Sequence, residues 1–182
     1  VLTNVGGAQN VVRSIKENRL PVDAVVGIST DKDCKPINVI GMTKALQERV
    51  FIEANREYPE TRFLCVRYGN VIASRGSIVP LFAEQVRSGR PLTVTLPEMT
   101  RLLLSLDRAV DTVFAAIENG RPGETFVPKV PAAKIVDLAR AMMRDEELPI
   151  VFTGIRPGEK NHEIMVSEEE CFRTRAAGDY YA

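Results

Sequence analysis

The hydrophobic positions change their period along the chain, and the changes mark out alternating helices and strands. Val5, Ala8, Val11, Val12 and Ile15 recur at helical spacing, which predicts a helix with one buried face over about residues 3–18. Gly6 and Gly7 would weaken that helix in isolation, but they allow a strand or a ligand to come close. Leu20-Pro21 breaks it. The run Val22–Ile28 (VDAVVGI), short and rich in β-branched and small residues, then reads as a buried strand of a parallel sheet. A helical pattern resumes at Asn38, with Ala45, Leu46, Val50, Phe51 and Ala54 on its apolar face, and Pro59 ends it. Residues 62–68 (RFLCVRY) form a second strand-like run. Helix, strand, helix, strand with these connections predicts βαβ units and a right-handed parallel sheet.

Beyond residue 68 the segments are shorter. Gly69-Asn70-Val71 and Ser74-Arg75-Gly76-Ser77 make a polar loop before the apolar residues 78–82. Such a loop suits an anionic ligand with a flat organic group, and it equally suits a plain connection into a core helix. Residues 92–95 and 101–104 read as strands, residues 107–119 as a helix closed by Gly120 and Pro122-Gly123, and residues 124–128 as a strand. Ile135, Leu138, Ala139 and Met142 stripe another helix, as core and not as a cofactor contact. Residues 149–152 are a strand candidate, residues 156–160 a charged turn, and residues 178–181 are expected to be loosely ordered. No internal repeat or low-complexity segment interrupts this order.

Length and charge narrow the class. A chain of 182 residues can bury a real core. Its formal net charge of +0 leaves no basic excess to neutralise phosphates, which argues against a nucleic-acid binder. Cys34, Cys65 and Cys171 are odd in number and widely spaced, as in a reducing compartment without a disulfide framework or zinc site. No apolar stretch approaches the roughly 20 residues of a membrane span, and no leader pattern opens the chain, so a cytoplasmic location is expected. The chain opens without a Met, on Val1-Leu2-Thr3-Asn4, and runs straight into an amphipathic pattern. It is therefore expected to be a fragment lacking an amino-terminal portion.

The candidate chemistry lies after the first strand. Ser29-Thr30-Asp31-Lys32, followed by Gly41-Met42-Thr43-Lys44, gathers two lysines and an aspartate at a strand's carboxyl end, where open α/β sheets bind ligands. Taken alone, a Thr-Asp-Lys triplet is as readily solvated loop charge.

The ordered set NVGGAQNV, ISTDK, GMTK, RYGNV, SRGSIVPLF, PLTVT, MTR, GETFV, RPGEK and GDYY resembles the extended short-chain dehydrogenase/reductases of bacterial surface-polysaccharide synthesis. It is most similar to the inverting UDP-N-acetylglucosamine 4,6-dehydratases. The resemblance implies an α/β fold: the later part of a Rossmann-like doubly wound parallel sheet plus a smaller α/β substrate-binding domain. Residues 1–75 would belong to the first and 76–182 mainly to the second, with the chain crossing between them. The family's amino-terminal strand–GxGxxG–helix unit, which holds the dinucleotide pyrophosphate, has no counterpart here. Such a fragment would not turn over by itself. NAD, in preference to NADP, and a UDP-N-acetylhexosamine are the implied cofactor and substrate. No metal is implied, and the full-length relatives self-associate, some of them at the inner membrane.

The resemblance also implies roles. Thr30 would hydrogen-bond the sugar 4-hydroxyl, Asp31 would act as acid at C6, and Lys32 would remove the C5 proton. Lys44 would bind the nicotinamide ribose and lower the basicity of Lys32, with Asn4, Ser29 and Tyr68 also facing the cofactor. Asn70 would contact the diphosphate, Ile78, Pro80 and Leu81 would wall the uridine, Arg101 and Arg156 would clamp phosphates, and Glu159 would bind the uridine ribose. The pattern departs in three places. Ile40 stands four residues before Lys44, where the superfamily has tyrosine, although some inverting members have Met there. Asp33-Cys34 replaces a small apolar pair, and Leu96 replaces an Asp before Pro. A UDP-sugar 4-epimerase, or a non-catalytic nucleotide-binding scaffold, would share most of these features. His162, the sole histidine, reads as an ordinary residue beside a turn.

Overall fold

The computed structural model describes residues 1–144 and 146–182. A π-helical turn at Leu2–Gly6 runs into α1 (Gly7–Asn18), followed by β1 (Ala24–Thr30), α2 (Val39–Glu57), β2 (Arg62–Tyr68), β3 (Asn70–Val71) and α3 (Ile78–Arg87). Next come β4 (Leu92–Val94), β5 (Thr100–Leu104), α4 (Leu106–Asn119), β6 (Thr125–Pro128), β7 (Ala132–Lys134) and α5 (Ile135–Met143). The chain closes with β8 (Ile150–Phe152), α6 (Glu168–Cys171), β9 (Ala176–Ala177) and β10 (Tyr180–Tyr181). Two compact units result: Val1–Tyr68 with Asp107–Lys129 and Ile164–Ala182, and Gly69–Leu106 with Val130–Glu163. The sequence places residues 1–75 in one part and 76–182 mainly in another, with the chain crossing between them; the structure divides it after Tyr68 and has two later segments in the first unit.

In the first unit the strand order is β1-β2-β6-β10-β9. β1, β2 and β6 are parallel, and the β10 edge is antiparallel. Alternation along β2 sends Phe63 and Cys65 to a cluster with Ala8, Ile15, Phe51 and Ala54, while Val66 meets Ala116 and Phe126 in a second cluster. Helices therefore cover the sheet through two apolar clusters, the arrangement of a doubly wound fold. Phe63 and Phe126 are almost fully buried, each worth about 1.5–3 kcal/mol of transfer energy. A Cβ on Gly27 would lie 2.5 Å from Phe51 Cδ2, so only glycine lets α2 pack this closely on β1.

Two expectations need correction. β1 starts and ends two residues later than the apolar run, because its ladder with β2 continues until Thr30 pairs with Tyr68. Ser29 and Thr30 are thus strand residues. The segment 178–181 is also ordered: Tyr180 and Tyr181 pair with Pro128 and Val127, the Tyr180 ring lies 6.0 Å from Phe126, and Arg108 sits 4.9 Å over it. Aromatic rings and a strand ladder give this end contacts that its polar sequence hides.

In the second unit β3 and β5 are parallel, β7 joins β5 antiparallel, and β4 pairs with β8. Its core holds Phe82, Leu92, Val94, Met99, Ile135 and Ala139. The apolar residues 78–82 open α3, and the predicted stripe of Ile135 and Ala139 is the buried face of α5. Among the described residues no helix is long and apolar enough to cross a membrane.

Candidate active site

The end of β1 builds a compact turn. Asp31 N–H donates to the Tyr68 carbonyl at 3.2 Å, and Asp33 N–H donates back to Thr30 at 3.2 Å. The Thr30 hydroxyl donates to Asp31 Oδ1 at 2.9 Å, and Lys32 Nζ lies 2.9 Å from the same oxygen. Asp31 is 0% exposed, and its other oxygen, Oδ2, is buried without a hydrogen-bond partner. One carboxylate oxygen is committed to the turn and one is open. Leaving it so is costly unless a ligand group fills the position.

α2 starts against this turn. Its N-cap, Asn38, accepts from Gly41 N–H at 2.9 Å. One turn further on, Lys44 Nζ donates to the Ile28 carbonyl at 2.7 Å and to Gln47 Oε1 at 3.0 Å. Burial holds this ammonium below the ordinary lysine value. Lys32 meets the Asp31 carboxylate, and Lys44 the Ile28 carbonyl. Asn4 donates to Thr43 Oγ1 at 2.9 Å, which ties the π-helical turn to the same part of α2. Tyr68 ends β2 opposite Thr30, its phenol pushed up by burial. Ser29 is buried, with its hydroxyl donating to Asp33.

Asp33 belongs to an ionic cluster that the sequence reading missed. Arg67, 4% exposed on β2, places Nε 2.8 Å from Asp33 Oδ1 and Nη2 2.7 Å from Glu48 Oε2 of α2. Its Nη1 donates to Glu170 Oε2 of α6 at 3.0 Å and to the Met165 carbonyl at 2.7 Å. Burial, and then a proton shared with Glu48, push the Asp33 carboxyl up to about 8 against the pull of Arg67. Burial would also raise Glu170, but Arg67 and the backbone of Ser167 outweigh it and hold that carboxyl at about 2. The available signal was Arg67, set inside the apolar stretch that follows Arg62 in RFLCVRY, together with the unusual Asp33.

The second unit holds the residues expected to bind the nucleotide. Arg101, on β5, donates to the carbonyls of Thr100 and Asn161 and lies 3.4 Å from Glu159 Oε1. Arg156 N–H reaches Glu159 Oε2 at 3.4 Å, so Glu159 joins the two arginine-bearing segments. Asn70 pairs with Leu103 in the sheet. Ile78 packs against the core, whereas Pro80 and Leu81 are exposed on the first turn of α3. His162 Nδ1 is 2.8 Å from Thr100 Oγ1. Ser77 Oγ, at the end of the polar loop before α3, and Asn161 Oδ1 are buried without a hydrogen-bond partner. No group of three or more His, Cys, Asp or Glu among the described residues could hold a metal ion.

Residues 1–182 match the family described as polysaccharide biosynthesis protein. A Rickettsia massiliae (strain Mtu5) protein named UDP-glucose 4-epimerase is 46% identical, over 98% of this chain and 53% of its own length. The chain thus spans about half the length of the curated relatives it matches. The structure of Pen from Bacillus thuringiensis superposes with a TM-score of 0.91 at 33% identity, over 100% of this chain and 58% of that one. A dTDP-glucose 4,6-dehydratase from Streptomyces venezuelae, solved with NAD bound, superposes with a TM-score of 0.77 over 92% of this chain and 58% of that one; at 17% identity it speaks for the fold alone. The α/β fold, with its parallel β1-β2-β6 core, matches these Rossmann-like neighbours. This chain belongs to the polysaccharide biosynthesis protein family.

Proposed function

We propose that the full-length protein carrying this chain is an NAD-dependent UDP-N-acetylglucosamine 4,6-dehydratase, with C5 epimerisation open to it, acting in surface-polysaccharide synthesis. One observation carries the reading: the Asp31–Lys32 pair, sharing Oδ1 at 2.9 Å while Oδ2 stays open. Moving one proton across that contact turns the ion pair into an amine and a carboxylic acid. Those are the base needed at C5 and the acid needed at C6.

NAD, when bound, supplies the hydride acceptor at the start of the cycle and the hydride donor at its end. Lys44 fits a role beside it, since the ammonium has three N–H donors and two are engaged, leaving one for a ribose hydroxyl. Asn4, Ser29 and Tyr68 complete the group assigned to the cofactor. As hydride leaves C4, the Lys32 amine relays the 4-hydroxyl proton to water; with C4 a ketone, the same amine takes the acidified C5 proton and gives a proton back to C5 when hydride enters C6. The C6–O bond then breaks, and Asp31 gives its proton to the departing hydroxyl, which leaves as water. Thr30 holds the sugar 4-hydroxyl. In the second unit, Arg101, Arg156 and Glu159 are assigned to UDP, with Asn70 at the diphosphate and Ile78, Pro80 and Leu81 at the uridine.

A UDP-sugar 4-epimerase is the second reading, favoured by the name of the Rickettsia relative. Ile40, 63% exposed and one helical turn before Lys44, offers no phenol for the 4-hydroxyl proton that both reactions shed, whereas Lys32 beside Asp31 is a C5 base that only dehydration requires, and this favours the first reading. The two readings part in one experiment. The full-length protein is incubated with NAD⁺ and UDP-N-acetylglucosamine in D₂O, and the sugar is followed by NMR and mass spectrometry. Loss of water with deuterium at C5 supports dehydration. A C4 epimer that keeps its water supports the epimerase.

A further inference from the structure

We infer that α6 is latched onto the loop after the candidate catalytic turn, and that Arg67 and Asp33 are positioning residues that hold Thr30, Asp31 and Lys32 in register through this latch. The inference rests on the roles proposed above for the turn. Three consecutive residues beyond Lys32 make the contact. Asp33 is joined to Glu170 through the Arg67 guanidinium, at 2.8 Å and 3.0 Å. Cys34 Sγ lies 3.8 Å from Glu170 Oε2. Lys35 pairs with Glu168, and it lies 3.9 Å from Glu169. α6 is itself held by a capping box, with Ser167 N–H donating to Glu170 Oε2 at 2.9 Å and Glu170 N–H donating to Ser167 Oγ at 3.3 Å. Toward the chemistry, Asp33 accepts from Ser29, the strand residue just before Thr30.

An apolar cluster could join these segments without desolvating Arg67, Asp33 and Glu48, which are all buried. What a planar guanidinium with fixed donors adds is direction. Its directed hydrogen bonds to Glu48 and Glu170 set α2 and α6 at defined angles around the end of β2, with Asp33 Oδ1 of the loop seated beside Nε at 2.8 Å. Since Asp31 and Lys32 directly precede that loop, a shift there is a shift of the acid and the base, and displacements of about 1 Å can cost about 10²-fold in rate.

The test uses the full-length protein and Glu170→Ala, chosen because Glu170 is half-buried and its loss leaves the buried Arg67 with Glu48 and Asp33. Hydrogen–deuterium exchange is read at residues 29–35 and, as a control, in the core of β2. Turnover of UDP-N-acetylglucosamine is read in parallel. Exchange at 29–35 is expected to rise about tenfold with the β2 core unchanged. kcat should fall about 10–100-fold with KM for the sugar nucleotide within about twofold. Glu170→Gln, whose one carbonyl oxygen can still accept from Ser167 N–H and Arg67 Nη1 while its NH2 cannot accept from Nη2, should recover part of both. Unchanged exchange at 29–35 in a folded Glu170→Ala protein overturns the latch, and a loss expressed only in KM overturns the positioning role. If the wild-type protein turns over no sugar nucleotide, the proposed function fails, and the exchange measurement alone decides the latch.

Discussion

Lys44 Nζ donates to the backbone carbonyl of Ile28 at 2.7 Å, so a side chain on α2 is tied to β1 two residues before the candidate Thr30. The bond points the ammonium at the carboxyl end of the sheet and keeps it partly out of water. Lys44→Met is expected to lower kcat by about 10²–10³-fold and to weaken NAD binding. Initial rates and an NAD titration check both, and unchanged NAD affinity would remove Lys44 from the cofactor.

Asp31 and Lys32 should separate by isotope. Lys32→Ala is expected to abolish deuterium entry at C5. Asp31→Asn should retain some exchange at C5 while losing water elimination by about 10²–10⁴-fold. Equal loss of both steps in the two variants would mean that the pair acts through another base.

Gly41 sits where α2 meets the turn. A Cβ there would stand 2.1 Å from the Lys32 carbonyl oxygen and 3.1 Å from Pro36 Cβ. Gly41→Ala should therefore cost about 1–3 kcal/mol and disturb Lys32. Gly7→Ala makes a control, because nothing lies within 4 Å of its Cβ position in α1. It should stabilise by about 0.5–1 kcal/mol. Calorimetry on both variants separates the backbone contact from a general intolerance of change.

The Arg67 cluster predicts opposed pH effects. Burial and the proton shared with Glu48 push Asp33 up to about 8, whereas an unfolded chain releases that proton near about 3.9. Between these values the folded protein binds a proton that the unfolded one has lost. This contribution to stability is complete below the unfolded value and is lost as pH rises through about 8. Glu170 has the other sign. Held at about 2, it contributes above its unfolded value and loses that contribution as pH falls through about 2. Tm is expected to decline from about pH 5 to pH 9, and Asp33→Asn should flatten that decline. An unaltered slope in the variant would assign the decline to other groups.

Much of this protein could be read from period and punctuation. The βαβ order followed from the apolar runs at β1 and β2 and from the stripe of α2, because hydrophobic burial and strand pairing act locally enough to imprint a pattern. The Thr30-Asp31-Lys32 triplet could be placed at a strand's carboxyl end for the same reason. Tertiary structure alone decided what is built from partners far apart in sequence. Tyr180 and Tyr181 are a strand only because Phe126, Arg108 and Val127 await them. Arg67 is buried only because Glu48 and Glu170 arrive from two helices, with Asp33 of the loop beside them. A buried charge is tolerable only with its countercharges assembled around it, and hydropathy along one segment carries no record of contacts 103 residues away.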